Sequence, residues 1–558
     1  MMMLSKEQLQ TPLWSISILI GIALLFLLPF ANKPFHIDDP LFIWAAKHIQ
    51  HHPINFYGFN VNWYGTTMPM FNVMKNPPMT SYYCALIGWL FGFRECALHL
   101  ALLILTLACV TGMYYLAQKL CSQPLIAALI ATTTPVFILS ATTTMCDIMM
   151  LTFWIWALFL WMHGLEKNNH YFLFGSGILI AICSLTKYFG ISLIPLLFVY
   201  SLLKRKRIGM WALLLVVPIV ILVGYQWFTH ILYGRGLLLD AASYSTTMRS
   251  RNGLELFSKG FTGLAFAGGS IIIALFYFPV LWPRKSFIVW GVLTVLFIVF
   301  LATIERIGQI SLRDAHAMKW GVIAQFYLLA MTGASILGLS IVVLFKCRDP
   351  EALLLFLWIG GTFVFASFVN WSVNGRSILP MIPAASIIIA RRLEYDDMGT
   401  TRKQWAIIWP LVLCAVITGM VNWADYSLAN TTRRAATELN EKYIHDKRTV
   451  WFQGHWGFQY YMEKNGAQAL DFKNSRIKLN DIIIAALNNT NIYPLEQDKF
   501  QLLETKELAP YKWVSTMSSS LGAGFYSDTW GPLPFAIGRV PPEKYNIFAP
   551  NPHFLNKK

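Results

Sequence analysis

Phe35-His36-Ile37-Asp38-Asp39-Pro40 follows directly on the first long apolar run, residues 12–30, and leads into Leu41-Phe42-Ile43-Trp44 and on to Ile49. Two adjacent carboxylates held partly out of water cannot both ionise freely. One pKa rises, which makes a candidate base or metal holder. The plainer alternative is a helix start, with Asp as cap and Pro40 in the first turn. The rest of the chain decides between them.

Apolar runs like 12–30 recur for three quarters of the 558 residues. Hydrophobic residues make up 56% and charged residues 13%, and the mean hydropathy is +0.51. A soluble domain has about a quarter charged residues. Runs of about 17–25 apolar residues cross a bilayer as helices, whereas a barrel shows short alternating segments. The chain is therefore read as a polytopic α-helical membrane protein. About thirteen spans are expected: 12–30, 98–118, 124–140, 147–163, 171–185, 190–203, 208–229, 260–282, 287–303, 320–345, 352–369, 377–390 and 405–423. Lys6 precedes the first run and no small-residue cleavage site follows it, so the run is read as an uncleaved span.

A formal charge of +16 would suit a nucleic-acid partner, but the excess sits in short clusters between spans. Lys204-Arg205-Lys206-Arg207, Arg284-Lys285, Arg391-Arg392 and Arg402-Lys403 are of the kind that holds loops in the cytoplasm. No nucleic-acid partner is expected. With the N-terminus inside, nearly all clusters fall on one side. Loop 31–97 and the chain after 423 fall on the other, together with Asp38, Asp39, Asn76, Asp147, Lys187 and Arg376. The division expected is a membrane domain over 1–423 and a small extracytoplasmic α/β domain over 424–558. That second domain has strands near 449–453, 482–486 and 500–504 and helices near 435–444 and 456–464. The eight Cys form no CxxC; Cys84 and Cys96 share a loop and are the single candidate pairing.

Five features carry a resemblance: Asp38-Asp39 just past the first span; Asn76-Pro77-Pro78; Asp147 opening an apolar run; Leu185-Thr186-Lys187-Tyr188; and Asn374-Gly375-Arg376 ahead of Ser377-Ile378-Leu379-Pro380. In their order and common side they resemble the GT-C fold glycosyltransferases of family 39, the protein O-mannosyltransferase-like group that includes the lipid A aminoarabinose transferases. The resemblance spans about residues 12–423. It implies a GT-C membrane domain and transfer of a sugar from a polyprenyl-phosphate donor to a lipid, glycan or protein acceptor. It also implies a catalytic base at Asp38, with Asp39 standing where the family has Glu. Asn76, Asp147, Lys187, Tyr188 and Arg376 become substrate-binding candidates. The aminoarabinose transferases have Arg and Tyr after the acidic pair and Lys before the two prolines. Leu41, Phe42 and Asn76 stand at those places here, so that subgroup's substrate does not carry over.

The residues suit this chemistry in their own right. An attacking hydroxyl must lose a proton, which a placed carboxylate can accept. A departing phosphate is helped by cations such as Lys187 and Arg376 and by helix N-termini. A single displacement inverts the anomeric carbon; retention needs a second carboxylate on the opposite face, for which Asp147 is the candidate. No cofactor is required. A divalent metal stays open, with His36 and Asp39 as candidate ligands and His48, His51 and His52 as a looser cluster. The alternatives are a transporter, which intramembrane charges would suit, and a scaffold. A bacterial inner membrane is the expected location, with site and C-terminal domain facing out. Gly454-His455-Trp456-Gly457 leaves a strand and opens a helix, a place where α/β domains bind ligands or simply pack aromatics.

Overall fold

The computed structural model describes residues 12–251, 256–314, 317–394, 400–444 and 448–552. Nine of its helices are long and apolar enough to cross a membrane, or up to eleven if two bent pairs each count as one span. The pairs are Pro124–Thr132 with Pro135–Ala141, bent by 64°, and Leu256–Ser270 with Ile273–Leu281, bent by 90°. Pro135 accounts for the first bend, since it lacks an N–H and biases Thr134 to an extended conformation (ψ 143°). Against the thirteen spans expected, 171–185 and 377–390 correspond to helices of 17 and 13 residues, His170–Thr186 and Ile382–Glu394, too short to be counted as spans. The second is cut short by the 3-10 turn Leu379–Met381, where Pro380 interrupts the helical run.

Small residues let helices approach closely. Leu256–Ser270 packs on Trp320–Cys347 through Gly268 and Gly333. A Cβ on either would strike a backbone carbonyl of the other helix, Leu329 or Leu264.

Loop 31–97 is folded. It carries the helices Asp39–Ile49 and Met79–Phe91, which pack on each other. Cys84 and Cys96 are both free. The last span does not stop at 423: Thr400–Tyr443 is one 44-residue helix that carries the chain out of the membrane domain. The α/β part follows. Its sheet contains β1 (Val450–Gln453), β2 (Gln468–Ala469), β3 (Ile482–Ala486), β4 (Phe500–Leu508) and β5 (Glu543–Pro550), in spatial order β4-β5-β3-β1-β2. β1 pairs in parallel with β2 and β3, while β5 is antiparallel to its neighbours. β3 is buried along its whole length, as its unbroken Ile-Ile-Ile-Ala-Ala run implies. Between β4 and β5 the chain leaves the sheet and returns to the membrane domain, where Phe525 O accepts from Gly375 N at 2.8 Å and Val373 O from Asp528 N at 2.8 Å.

Candidate active site

The helix Asp39–Ile49 begins as the sequence suggests, with Pro40 in its first turn and Asp38 at the N-cap position. Yet the Asp38 carboxylate makes no capping bond. It is 30% exposed, and Oδ2 lies 3.3 Å from the Arg376 guanidinium. Asp39 has a different place. It is fully buried, its Oδ2 accepting from His36 N and its Oδ1 from Thr144 N, each at 2.8 Å. Burial pushes its pKa up to about 6, against the pull of the amide donors and Lys33. Asp39 thus ties the first loop to the turn ahead of Asp147, and Asp38 is the acid left facing outward. The carboxylates adjacent in sequence are separated in role by the first helical turn.

Arg376 lies in a four-residue helix, Gly375–Ile378, capped by Asn374 through Ser377 N at 2.9 Å. Its second ion contact is Asp147 Oδ2 at 3.8 Å. Asp147 is the first residue of the helix Asp147–Lys167, where a negative charge suits the dipole. Its Oδ1 accepts from Lys187 Nζ at 2.6 Å. Lys187 is in an extended link (φ −150°, ψ 129°) between the helix His170–Thr186 and the 3-10 turn Tyr188–Ser192. Four segments distant in sequence therefore build an alternating row, Asp38, Arg376, Asp147, Lys187. Asp147 is 1% exposed, while Arg376 and Lys187 are 15% and 18% exposed. Burial works against the charge on Arg376, and Asp147 and Asp38 more than restore it, so the guanidinium is held above its usual range.

Of the other candidates, Asn76 abuts this row: its Oδ1 accepts from the Cys146 thiol at 3.6 Å. It does not cap the helix Met79–Phe91, whose N-cap is Pro78, so the two prolines simply precede that helix. Tyr188 is engaged outside the row, its hydroxyl 3.1 Å from that of Tyr225. His36 is buried, edge-on to Tyr526 at 5.4 Å, and burial pushes its pKa down to about 4. Only its backbone N–H reaches Asp39. The rings of His48 and His52 lie 4.6 Å apart, and His48 Nε2 is 2.9 Å from Asn55 O. Among the described residues no three His, Cys, Asp or Glu side chains gather as metal ligands do.

Three participants have no local signal in the sequence. Lys33 reads as an ordinary end-of-span lysine, but it is fully buried and donates to Asp425 at 2.6 Å and Thr142 at 3.2 Å. Asp425 also accepts from Thr516 at 2.6 Å and Tyr526 at 2.8 Å. Tyr526, from the segment between β4 and β5, lies under the Arg376 guanidinium at 5.6 Å. The C-terminal part thereby supplies the floor of the site. A further cluster joins Lys75 and Arg235 to Asp240 at 2.6 and 3.0 Å, pinning the helix Leu237–Arg251 to the first loop.

Comparison with known proteins bears on this architecture. The structure is similar to the archaeal oligosaccharyltransferase AglB from Archaeoglobus fulgidus, in complex with an inhibitory peptide and a dolichol-phosphate. The TM-score is 0.51 at 12% identity, covering 96% of this chain and 75% of that one. The chain has the GT-C fold. Residues 75–227, less than half of it, match the family model for dolichyl-phosphate-mannose-protein mannosyltransferase. The peptide-tethered form of the Archaeoglobus fulgidus enzyme gives a TM-score of 0.48 at 12% identity over 83% of this chain, which spans 64% of that protein's length. ArnT from Cupriavidus metallidurans, bound to undecaprenyl phosphate, gives 0.45 at 12% identity, with 85% of this chain and 93% of that one covered. No curated protein matches by sequence. The GT-C resemblance read from the five sequence features is thus found again in the backbone, and the row of charges lies at the end of the GT-C bundle on which the C-terminal sheet domain sits.

Proposed function

We propose that the protein is an integral-membrane glycosyltransferase that moves a sugar from a polyprenyl-phosphate donor to an acceptor hydroxyl. The observation that carries the proposal is the contrast within the acidic pair. Asp38 is free of capping, half-buried, and 3.3 Å from the Arg376 guanidinium, while Asp39 is consumed by the fold. The GT-C fold supports the same reading, as do a family model named for transfer from dolichyl phosphate and a relative that holds a dolichol-phosphate.

In this reading the acceptor hydroxyl gives its proton to Asp38 as its oxygen bonds to the anomeric carbon. The bond from that carbon to the phosphate oxygen breaks on the opposite face. The departing polyprenyl phosphate carries the negative charge to Arg376 and Lys187. Asp147 lies between those two cations and holds them in place. A carboxylate that is 1% exposed is badly placed to attack a sugar, so a single, inverting displacement fits better than a retaining one. The direct test is release of polyprenyl phosphate from a panel of polyprenyl-phosphate sugars by the purified protein. No turnover on any donor, together with sugar-coupled uptake into vesicles, would instead make it a transporter.

Two expected results follow. Lys187→Ala and Arg376→Ala each weaken donor binding by roughly tenfold, about 1.4 kcal/mol, with normal expression. Unchanged affinity in both variants removes them from the donor site. The positive-inside argument puts the site and the C-terminal domain outside a bacterial inner membrane. Impermeant thiol reagents applied from outside should label cysteines introduced into 51–55 and 488–492 and miss those in 204–207. The reverse pattern overturns the orientation.

A further inference from the structure

A cavity of about 200 Å³ lies between the sheet domain, the segment 517–545 and the start of the first loop. Its position in the sheet is distinctive. From β1 the chain crosses through the helix Trp456–Lys464 to β2 on one side, and then returns to β3 on the other side of β1. The order of connection therefore reverses between β1 and β3. In sheets of parallel strands, the crevice beyond the carboxyl ends at such a reversal is where ligands bind. Trp456 and Gly457, just after β1, and Leu487 to Asn489, just after β3, line the cavity.

The backbone there is held under strain. Six non-glycine residues have positive φ among those described; the β-branched one is Ile37 (+48°) and the tryptophan is Trp456 (+61°), and both line this cavity. Bulky residues in the left-handed region persist only where the surroundings fix them, and such strain gathers at binding sites. Gly457 is required by the same contact, since a Cβ there would strike the Phe35 carbonyl.

The lining specifies a chemistry. Trp456 and Trp530 are half-buried with ring centroids 5.8 Å apart. The lining also holds the Asn488 amide, the Glu543 carboxyl and the hydroxyls of Ser519 and Ser520. His36 is 4% exposed and its Nε2 has no hydrogen-bond partner among the described residues. The one Lys or Arg side chain of the lining, Lys544, is taken by Glu507 at 2.8 Å, so nothing is set out for a phosphate. Indole faces suit the apolar C–H face of a sugar ring, and amide, imidazole and hydroxyl groups suit its rim of hydroxyls.

We propose that this cavity binds a neutral saccharide, the acceptor sugar adjoining the one that is glycosylated. The wall residues His36 and Ile37 immediately precede Asp38, and a chain of acceptor sugars would run from the cavity toward that carboxylate. The assignment as acceptor rests on the glycosyltransferase reading; the binding of sugar does not.

The test uses the full-length protein in nanodiscs and saturation-transfer NMR. The probes are methyl glycosides and disaccharides of glucose, galactose, mannose and N-acetylglucosamine. The expected result is transfer onto ring protons of at least one of them. Its affinity should fall by roughly tenfold in Trp530→Ala and in Asn488→Ala, and return in Trp530→Phe. Thermal unfolding identifies any variant that fails to fold, and Asn488→Ala then carries the comparison. No transfer to any probe overturns the proposal. So does sugar binding untouched by both substitutions, or occupation of the cavity by an unglycosylated peptide alone. Sugar binding without donor turnover on any polyprenyl-phosphate sugar keeps the saccharide site and overturns only its role as acceptor site.

Discussion

Asp38→Asn lowers sugar transfer by at least about a hundredfold, the lower part of the 10²–10⁴ range for a general base. Asparagine keeps the size and can still meet Arg376, so donor binding and thermal stability stay near wild type. The neighbouring substitution separates chemistry from architecture. In Asp39→Asn one of the two backbone donors, His36 N or Thr144 N, faces an amide group that cannot accept from it. A buried donor left unmatched costs about 1–3 kcal/mol. Asp39→Asn is therefore expected to lose stability first, and activity only through displacement of Asp38. Transfer assays beside thermal melts check both. If Asp38→Asn turns over near the wild-type rate, Asp38 is not the base. If Asp39→Asn abolishes transfer at unchanged stability, the two roles are reversed.

Lys33→Met is expected to destabilise the protein by about 3–5 kcal/mol, the cost of leaving one member of a buried ion pair without its partner. Lys33 and Asp425 are both fully buried and 2.6 Å apart. Thr516 and Tyr526 continue to donate to Asp425, which places the loss toward the lower part of that range. Pairing Lys33→Met with Asp425→Leu should recover most of the stability, because no uncompensated charge then remains. The double variant should still transfer sugar poorly, since Tyr526, which lies under Arg376, loses its anchor. Single and double variants compared by thermal unfolding in detergent decide the matter. A cost below about 1 kcal/mol for Lys33→Met would mean the pair contributes no more than a surface one.

The membrane class and most spans were determined by the sequence itself, because a helix that crosses lipid must be apolar over its own length. The same local logic gave the helix Trp456–Lys464 and strand β3 to the residue. Strand β5, Glu543–Pro550, was missed. Its burial comes from lying between β4 and β3, and residues 540–551 carry three prolines that read as loop. That the last span continues unbroken into the helix after it was not legible for a related reason. Thr400–Tyr443 stays helical after its apolar stretch ends, because Ala424, Ala429, Ala435 and Ala436 are buried against the rest of the protein. Asp38, Asp147, Lys187 and Arg376 were named from sequence, since charge is rare in such a chain and costly to bury. Which of Asp38 and Asp39 faces outward was not legible, as neighbouring residues differ only in the turn of backbone that carries them. Nor were Lys33, Asp425 and Tyr526, or the cavity behind His36 and Ile37. These depend on segments from across the chain meeting at one end of the bundle, and no local pattern encodes a contact whose partner lies several hundred residues away. The sequence determined what this chain is made of and where its charges stand; tertiary packing alone decided which of those charges are buried in pairs and which remain open to a ligand.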